Sequence, residues 1–182
     1  MGCCPSISRK TIKELSKESS LSPEEIKNLH VNYISALERM EDKTGLTSSS
    51  FQEALGLTAG EIMERIFRAF DLDDDKILSF REYVLGVAFF STRLDLERRI
   101  HFAFALFDRN KDGMIDEDEV RSILKAAIEQ TGKHADDRVL KNVTDEMFSA
   151  GDRNKDNLIS EEEFTHLIMK NPKIIDALSV FK

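Results

Sequence analysis

The sequence predicts an all-α protein of four helix–loop–helix units in two pairs, with only a short β-bridge between the loops of each pair. Three observations carry that prediction. A twelve-residue pattern of oxygen-bearing side chains recurs, with copies starting at Asp71, Asp108 and Asp152, 37 and 44 residues apart, and such a long-period repeat marks a supersecondary unit used several times. Apolar residues at helical spacing flank each copy. Only three Pro and eight Gly interrupt 182 residues, and no alternating stretch of useful strand length is present.

Residues 1–20 read as a basic N-terminal segment that carries lipid. The chain opens Met1-Gly2-Cys3-Cys4-Pro5-Ser6. Gly2 with Ser6 fits N-myristoylation once Met1 is removed, and Cys3 and Cys4 stand beside it as palmitoylation sites. One myristoyl chain binds a membrane only marginally, so a second chain is what makes an anchor stable. Arg9, Lys10, Lys13 and Lys17 outweigh Glu14 and Glu18, which suits an anionic inner leaflet.

Residues 21–92 read as the N-terminal pair. Its second loop is Asp71 to Glu82. Asp71, Asp73, Asp75, Ser79 and Glu82 stand at the first, third, fifth, ninth and twelfth places, and Ile77 offers a carbonyl at the seventh. That spacing surrounds a hard divalent cation with oxygen, the ligand such an ion prefers; it is the pattern of an EF-hand calcium loop. The sixth place turns the backbone to positive φ and normally holds Gly. Lys76 stands there, and a residue with Cβ loses about 1–2 kcal/mol in that conformation, so binding is weakened. The first loop has lost its acids. Gly45-Leu46-Thr47 and Phe51 keep the shape of a loop ending, but Ser50 stands where the last Glu belongs. It is expected to pair with the Asp71 loop through Leu46 and Leu78 and to bind no metal.

Residues 93–170 read as the C-terminal pair, and 171–182 as a helix or tail. In one loop Asp108, Asn110, Asp112, the carbonyl of Met114, Asp116 and Glu119 are the ligand set. In the other the set is Asp152, Asn154, Asp156, the carbonyl of Leu158, Ser160 and Glu163. Gly113 and Asn157 hold the sixth places, and both tolerate positive φ better than Lys does. Ile115 and Ile159 are the expected bridge. Ca²⁺ is the implied ion, with Mg²⁺ a competitor. Calcium is expected to draw Glu119 and Glu163 inward, swing the exiting helices and open an apolar groove. A polar connector around Gly132–Asp136 separates the two units.

Apolar stripes set the core. Ile62, Ile66, Phe67 and Phe70 lead into the Asp71 loop; Ile100, Phe104 and Phe107 lead into the Asp108 loop. Val120, Ile123, Leu124, Ala127 and Ile128 leave the latter, and Phe164, Leu167 and Ile168 leave the last. With Phe148 these are core residues. Met63, Phe89, Phe90, Met147 and Met169 are the groove candidates, because Met surfaces adapt to varied partners.

Composition excludes several functions. A net charge of −8 argues against nucleic acid, which selects basic patches. The longest apolar run, Val84 to Phe90, is far short of the roughly 18 residues that span a membrane. Two adjacent Cys are poor disulfide partners and no secretory segment is apparent, so a cytosolic, reducing setting is expected. His30, His101, His134 and His166 form no metal pair with a Glu base, and His30 and His166 read as helix-surface residues. With no phosphate loop and no Gly-flanked nucleophilic Ser, the chain is not expected to be an enzyme.

These residues resemble the EF-hand sensor superfamily of the neuronal calcium sensors, the calcineurin B-like proteins and the ciliary dynein-associated calaxins. The carriers are the acylation start, the worn first unit, Ile66-Phe67-Arg68-Ala69-Phe70-Asp71 and the two C-terminal loops. Lys170-Asn171-Pro172-Lys173-Ile174-Ile175 is similar to the calcium-sensor and calcineurin B tail, and Ile62–Arg68 to calaxin. The loop around Asp42-Lys43-Thr44 lacks the Cys-Pro pair usual in neuronal sensors. The resemblance implies a sensor with affinities of about 10⁻⁷–10⁻⁵ M. It would regulate a target helix from the inner face of a membrane. Alternatives are a standing regulatory subunit of a phosphatase, kinase or ciliary or flagellar dynein, or a calcium buffer.

Overall fold

A computed structural model describes residues 6–40, 44–55, 60–91 and 93–171. The chain divides between Asp95 and Leu96 into two compact units. Among the described residues, no helix is long and apolar enough to cross a membrane.

The first unit holds α1 (Arg9–Ser19), α2 (Pro23–Leu37), α3 (Ser48–Leu55), α4 (Glu61–Phe70) and α5 (Phe80–Phe90). α1 lies within the basic N-terminal segment of residues 1–20, for which the sequence reading specified no secondary structure. Ser8 caps it by accepting the Thr11 N–H, and Leu15 and Ser19 are buried. Leu15 is buried where α1 packs on α2 and α5, while the four cations stay exposed to water, so the apolar side holds the helix without desolvating its charges. α2 starts at a capping box, in which Ser22 and Glu25 each satisfy the other's backbone N–H. The predicted stripe of α4 is buried throughout, at Ile62, Ile66, Phe67 and Phe70. Phe51 meets Phe70 edge-on at 5.9 Å, an arrangement worth about 0.5–1.5 kcal/mol beyond burial. Leu46 and Leu78 form the expected isolated bridge, with N···O distances of 3.0 and 2.7 Å.

The second unit holds α6 (Leu96–Phe107), β1 (Met114–Ile115), α7 (Glu117–Gln130), α8 (Asp137–Gly151), β2 (Ile159–Ser160) and α9 (Glu161–Lys170). β1 and β2 are antiparallel, and Ile115 faces Ile159 as expected. Phe104 and Phe107 both lie 5.7 Å from Phe164, closing a core with Phe148, Ile123 and Ile168. Ala135 in the connector is also buried.

Two of the five groove candidates belong to the core. Met63 and Phe89 are only 3% and 1% exposed, whereas Met169 is 60% exposed; Phe90 and Met147 are half-buried. Helical spacing cannot separate the two roles, since core and groove residues share one face. His30 is likewise not a free surface residue. It meets Phe80 edge-on at 5.0 Å, and burial lowers its pKa.

Candidate metal centres

Each acidic loop is a set of side-chain oxygens turned back on the loop's own backbone. In the loop 108–119, Asp108 accepts the Gly113 N–H at 2.9 Å, Asn110 the Asp112 N–H at 2.9 Å, and Asp112 the Met114 N–H at 2.9 Å. In the loop 152–163 the same places repeat the bonds: Asp152 to Asn157 at 3.0 Å, Asn154 to Asp156 at 3.0 Å, Asp156 to Leu158 at 2.9 Å. The loop 71–82 follows suit, with Asp71 accepting from Lys76 at 3.0 Å and Asp75 from Ile77 at 2.9 Å. These bonds fix one oxygen of each side chain and leave lone pairs for a cation.

The sixth places take positive φ as the spacing requires: Lys76 at 68°, Gly113 at 83° and Asn157 at 65°. The fourth places do so too, at Asp74, Lys111 and Lys155. No residue type marks that second left-handed position in the sequence.

The twelfth-place glutamates lie over their loops. Glu119 accepts from Arg109 and Asn110 N–H at 2.9 and 3.2 Å through one oxygen and from Asp116 N–H at 3.1 Å through the other. Glu163 takes Arg153, Asn154 and Ser160 in the same way, at 3.0, 3.3 and 3.0 Å. Glu82 takes Leu72 and Ser79 at 2.9 and 2.8 Å. Backbone N–H groups thus hold the Glu119 and Glu163 carboxylates over their loops, at the places expected of calcium ligands. The ninth and twelfth places also form the capping box that starts each exiting helix, as Ser79/Glu82, Asp116/Glu119 and Ser160/Glu163. A Ser/Asp-x-x-Glu signature at the end of each loop carried that signal. The worn first loop keeps a remnant, since Thr47 accepts the Ser50 N–H at 3.4 Å.

The donor set fits a hard divalent ion. Asp108 Oδ1 is buried without a hydrogen-bond partner among the described residues, which is costly unless a cation supplies one. Carboxylate oxygens of Asp71, Asp73 and Glu82 lie within 4.8 Å of one another, a spacing that repulsion opposes and a divalent ion would favour. Lys76 thus does not keep the second loop from assembling its acids. Burial raises the pKa of Glu119 despite its N–H bonds, whereas the Ser160 N–H bond lowers that of Glu163.

Beside the loops, the second unit has a cavity of about 690 Å³ lined by Leu96, Ile100, His101, Glu161, Thr165 and Met169. His101 Nδ1 and Glu161 Oε1 are 2.8 Å apart and join α6 to α9. Of the groove candidates, Met169 lines this cavity. The end of α6 at Leu96 was missed because its helix was read only from Ile100 onward.

Residues 97–169 match the model of the EF-hand domain pair. The calcineurin B of Candida glabrata is 30% identical over 80% of this chain and 78% of that protein. The type 1 calcineurin B of Dictyostelium discoideum is 29% identical over 96% and 94%. Human calaxin is 30% identical over 64% of this chain and 57% of its own length. With the repeated loops and their bridges, these likenesses make the chain a member of the EF-hand calcium-sensor superfamily that includes calcineurin B and calaxin.

Proposed function

We propose that the chain is a non-enzymatic, calcium-responsive regulatory subunit that acts on a target protein. The observation that carries this reading is the duplicated hydrogen-bonded loop at 108–119 and 152–163. Each would hold one Ca²⁺, through Asp108, Asn110, Asp112, Met114 carbonyl, Asp116 and Glu119, and through Asp152, Asn154, Asp156, Leu158 carbonyl, Ser160 and Glu163. The loop 71–82 would hold a third through Asp71, Asp73, Asp75, Ile77 carbonyl, Ser79 and Glu82, with Mg²⁺ competing at rest. The first-place Asp ends the entering helix and the twelfth-place Glu lies in the first turn of the exiting helix. One ion bonded to both fixes the angle between the helices, and the change in that angle is what a target helix reads. The long match to proteins named as calcineurin subunits favours a standing complex over a free sensor.

Calcium titration by calorimetry tests the ligand assignment. Glu119→Gln and Glu163→Gln should each remove one binding event; unchanged stoichiometry in both would sink it. Purification under calcium chelation tests the idea of a standing complex, since a permanent partner should co-elute in equal amount. If instead the chain elutes alone and exposes apolar surface to a hydrophobic dye only with calcium, it is a free sensor. Calcium uptake with no dye response would make it a buffer.

Membrane attachment is the second part of the proposal, and it rests on Gly2, Cys3 and Cys4, which lie outside the described residues. Acylation there would put the protein on the inner face of a membrane, and the likeness to calaxin allows that membrane to be a cilium's. Gly2→Ala should release the protein from the membrane fraction; a native N-terminus that mass spectrometry finds unmodified would refute acylation.

A further inference from the structure

Another cavity of the second unit, of about 320 Å³, gathers cations in a chain whose net charge is −8. Arg109 reaches it from the second place of the loop 108–119, Arg121 and Lys125 from α7, and Asp137 and Leu140 from the start of α8; Asp118 also lines it. None of these residues is a proposed calcium ligand. Lys125 follows Arg121 by four positions, so the two share one face of α7, and the loop brings Arg109 to them from a different element. Arg109 and Lys125 are exposed, and Arg121 is half-buried. Lys125 is held only loosely, with Glu129 at 4.0 Å. No ion pair among the described residues engages the guanidinium of Arg109 or of Arg121, although Asp118 precedes Arg121 by only three positions on α7. Arg121 Nε is also buried without a hydrogen-bond partner among the described residues. A buried donor left without an acceptor is costly, so this side chain is placed for an acceptor that the described residues do not provide.

We infer that this cavity receives a phosphate monoester carried on a protein side chain, phosphoserine or phosphothreonine. Such a group has about −1.5 to −2 charges at pH 7 and three acceptor oxygens. Two planar guanidinium forks match those oxygens in pairs, and the Lys125 ammonium adds a point charge. Three cations against two carboxylates leave the cavity at +1. The two carboxylates, with the acidic balance of the chain, repel an extended anionic plane such as a bilayer or a nucleic-acid backbone. They accept instead the peptide N–H groups that flank a phosphorylated residue. The volume is at the small end of ligand cavities, which suits one side chain rather than a surface. The site goes beyond the calcium reading, since a phosphorylated segment of a target protein would engage it whether or not the loops hold an ion.

Full-length protein in calcium chelator tests the inference, because the chelator keeps calcium from bridging phosphate to the acidic loops. The probe is phosphoserine blocked as its N-acetyl methylamide, titrated while the side-chain NMR signals of Arg109, Arg121 and Lys125 are followed. Saturable shifts are expected at all three, with blocked serine binding at least about tenfold more weakly. Arg121→Gln should weaken binding about tenfold, and Arg109→Gln and Lys125→Gln, at exposed positions that the fold does not need, about threefold or more each. The double variant Lys155→Gln/Lys170→Gln, at exposed lysines that do not line the cavity, should cost less than about twofold, since solvent screens distant charges. Shifts that fail to saturate, equal binding of blocked serine, or equal losses in both sets of variants would overturn the inference. So would inorganic phosphate, phosphatidylcholine vesicles containing phosphatidylserine, or duplex DNA binding as tightly with the same dependence on Arg121, because the occupant would then not be a phosphorylated side chain. Calcium calorimetry reports on the loops separately, so failure of that reading is not confused with failure of this one.

Discussion

At the scale of single residues, close packing decides more than charge. Gly86 of α5 sits where an added Cβ would lie 2.1 Å from the ring of Phe70, and that ring is 1% exposed. Gly86→Ala would gain about 1 kcal/mol of helix propensity. Forcing a methyl into a filled core costs typically about 1–3 kcal/mol, and a wholly buried ring has little room to yield. A net loss of stability is expected in thermal unfolding, with partial recovery when Phe70→Leu is added. Tyr33 makes a different point. Its hydroxyl donates to the Leu78 carbonyl at 2.8 Å, and burial, helped by the charges of Glu82 and Asp75, pushes its pKa to about 12. The phenolate is therefore disfavoured in the folded state. Below the ordinary value of 10.0 both states are protonated and the full stability is present. As pH rises from about 10 to about 12 the unfolded state ionises first, and stability falls. Tyr33→Phe should flatten that alkaline decline while costing about 1 kcal/mol at neutral pH through the lost hydrogen bond, read by denaturant melts at pH 7 and pH 11.

At the scale of elements, the loops were legible because their chemistry is local. Six ligand places, the apolar eighth place and the sixth-place turn all lie within twelve residues, so Ile115 opposite Ile159 and Leu46 opposite Leu78 could be read directly. What escaped was set by packing or by backbone alone. α1 was hidden because its charges dominate the sequence, although Ser8 and Leu15 were its signals. Met63 and Met169 look alike in sequence, and only the surroundings sort core from cavity. The left-handed fourth places carry no residue that announces them. The sixth place of the loop 71–82 is known from its number in the pattern, although Lys76 does not announce it, and it gives an element-scale prediction. Lys76 holds φ at 68° at a cost of about 1–2 kcal/mol, and its backbone N–H bond to Asp71 would survive any side-chain change except to Pro. Lys76→Gly removes that cost and adds about 0.5–1 kcal/mol of unfolded-state entropy. The balance favours the variant, so calcium should bind the loop 71–82 a few-fold more tightly by calorimetry.

At the scale of the whole molecule, the proposed ligation by the acids of the three loops would make calcium a part of the fold. An ion that binds only the folded chain stabilises it by about 2.7 kcal/mol when its free concentration is a hundred times the dissociation constant. Chelation should therefore lower the melting temperature, and the double variant Glu119→Gln/Glu163→Gln should keep only the part of the shift due to the loop 71–82. A melt that ignores calcium in the wild type would contradict the scheme. The bridge between Leu46 and Leu78 gives the worn first loop a purpose of its own. The Leu78 carbonyl is shared by the Leu46 N–H and the Tyr33 hydroxyl, so any tightening of the acidic loop tugs on a neighbour and on α2 at one atom. If the loop 71–82 takes the proposed ion, the worn half would become its follower, and an event at a few oxygens would become strain on helices that never touch the metal.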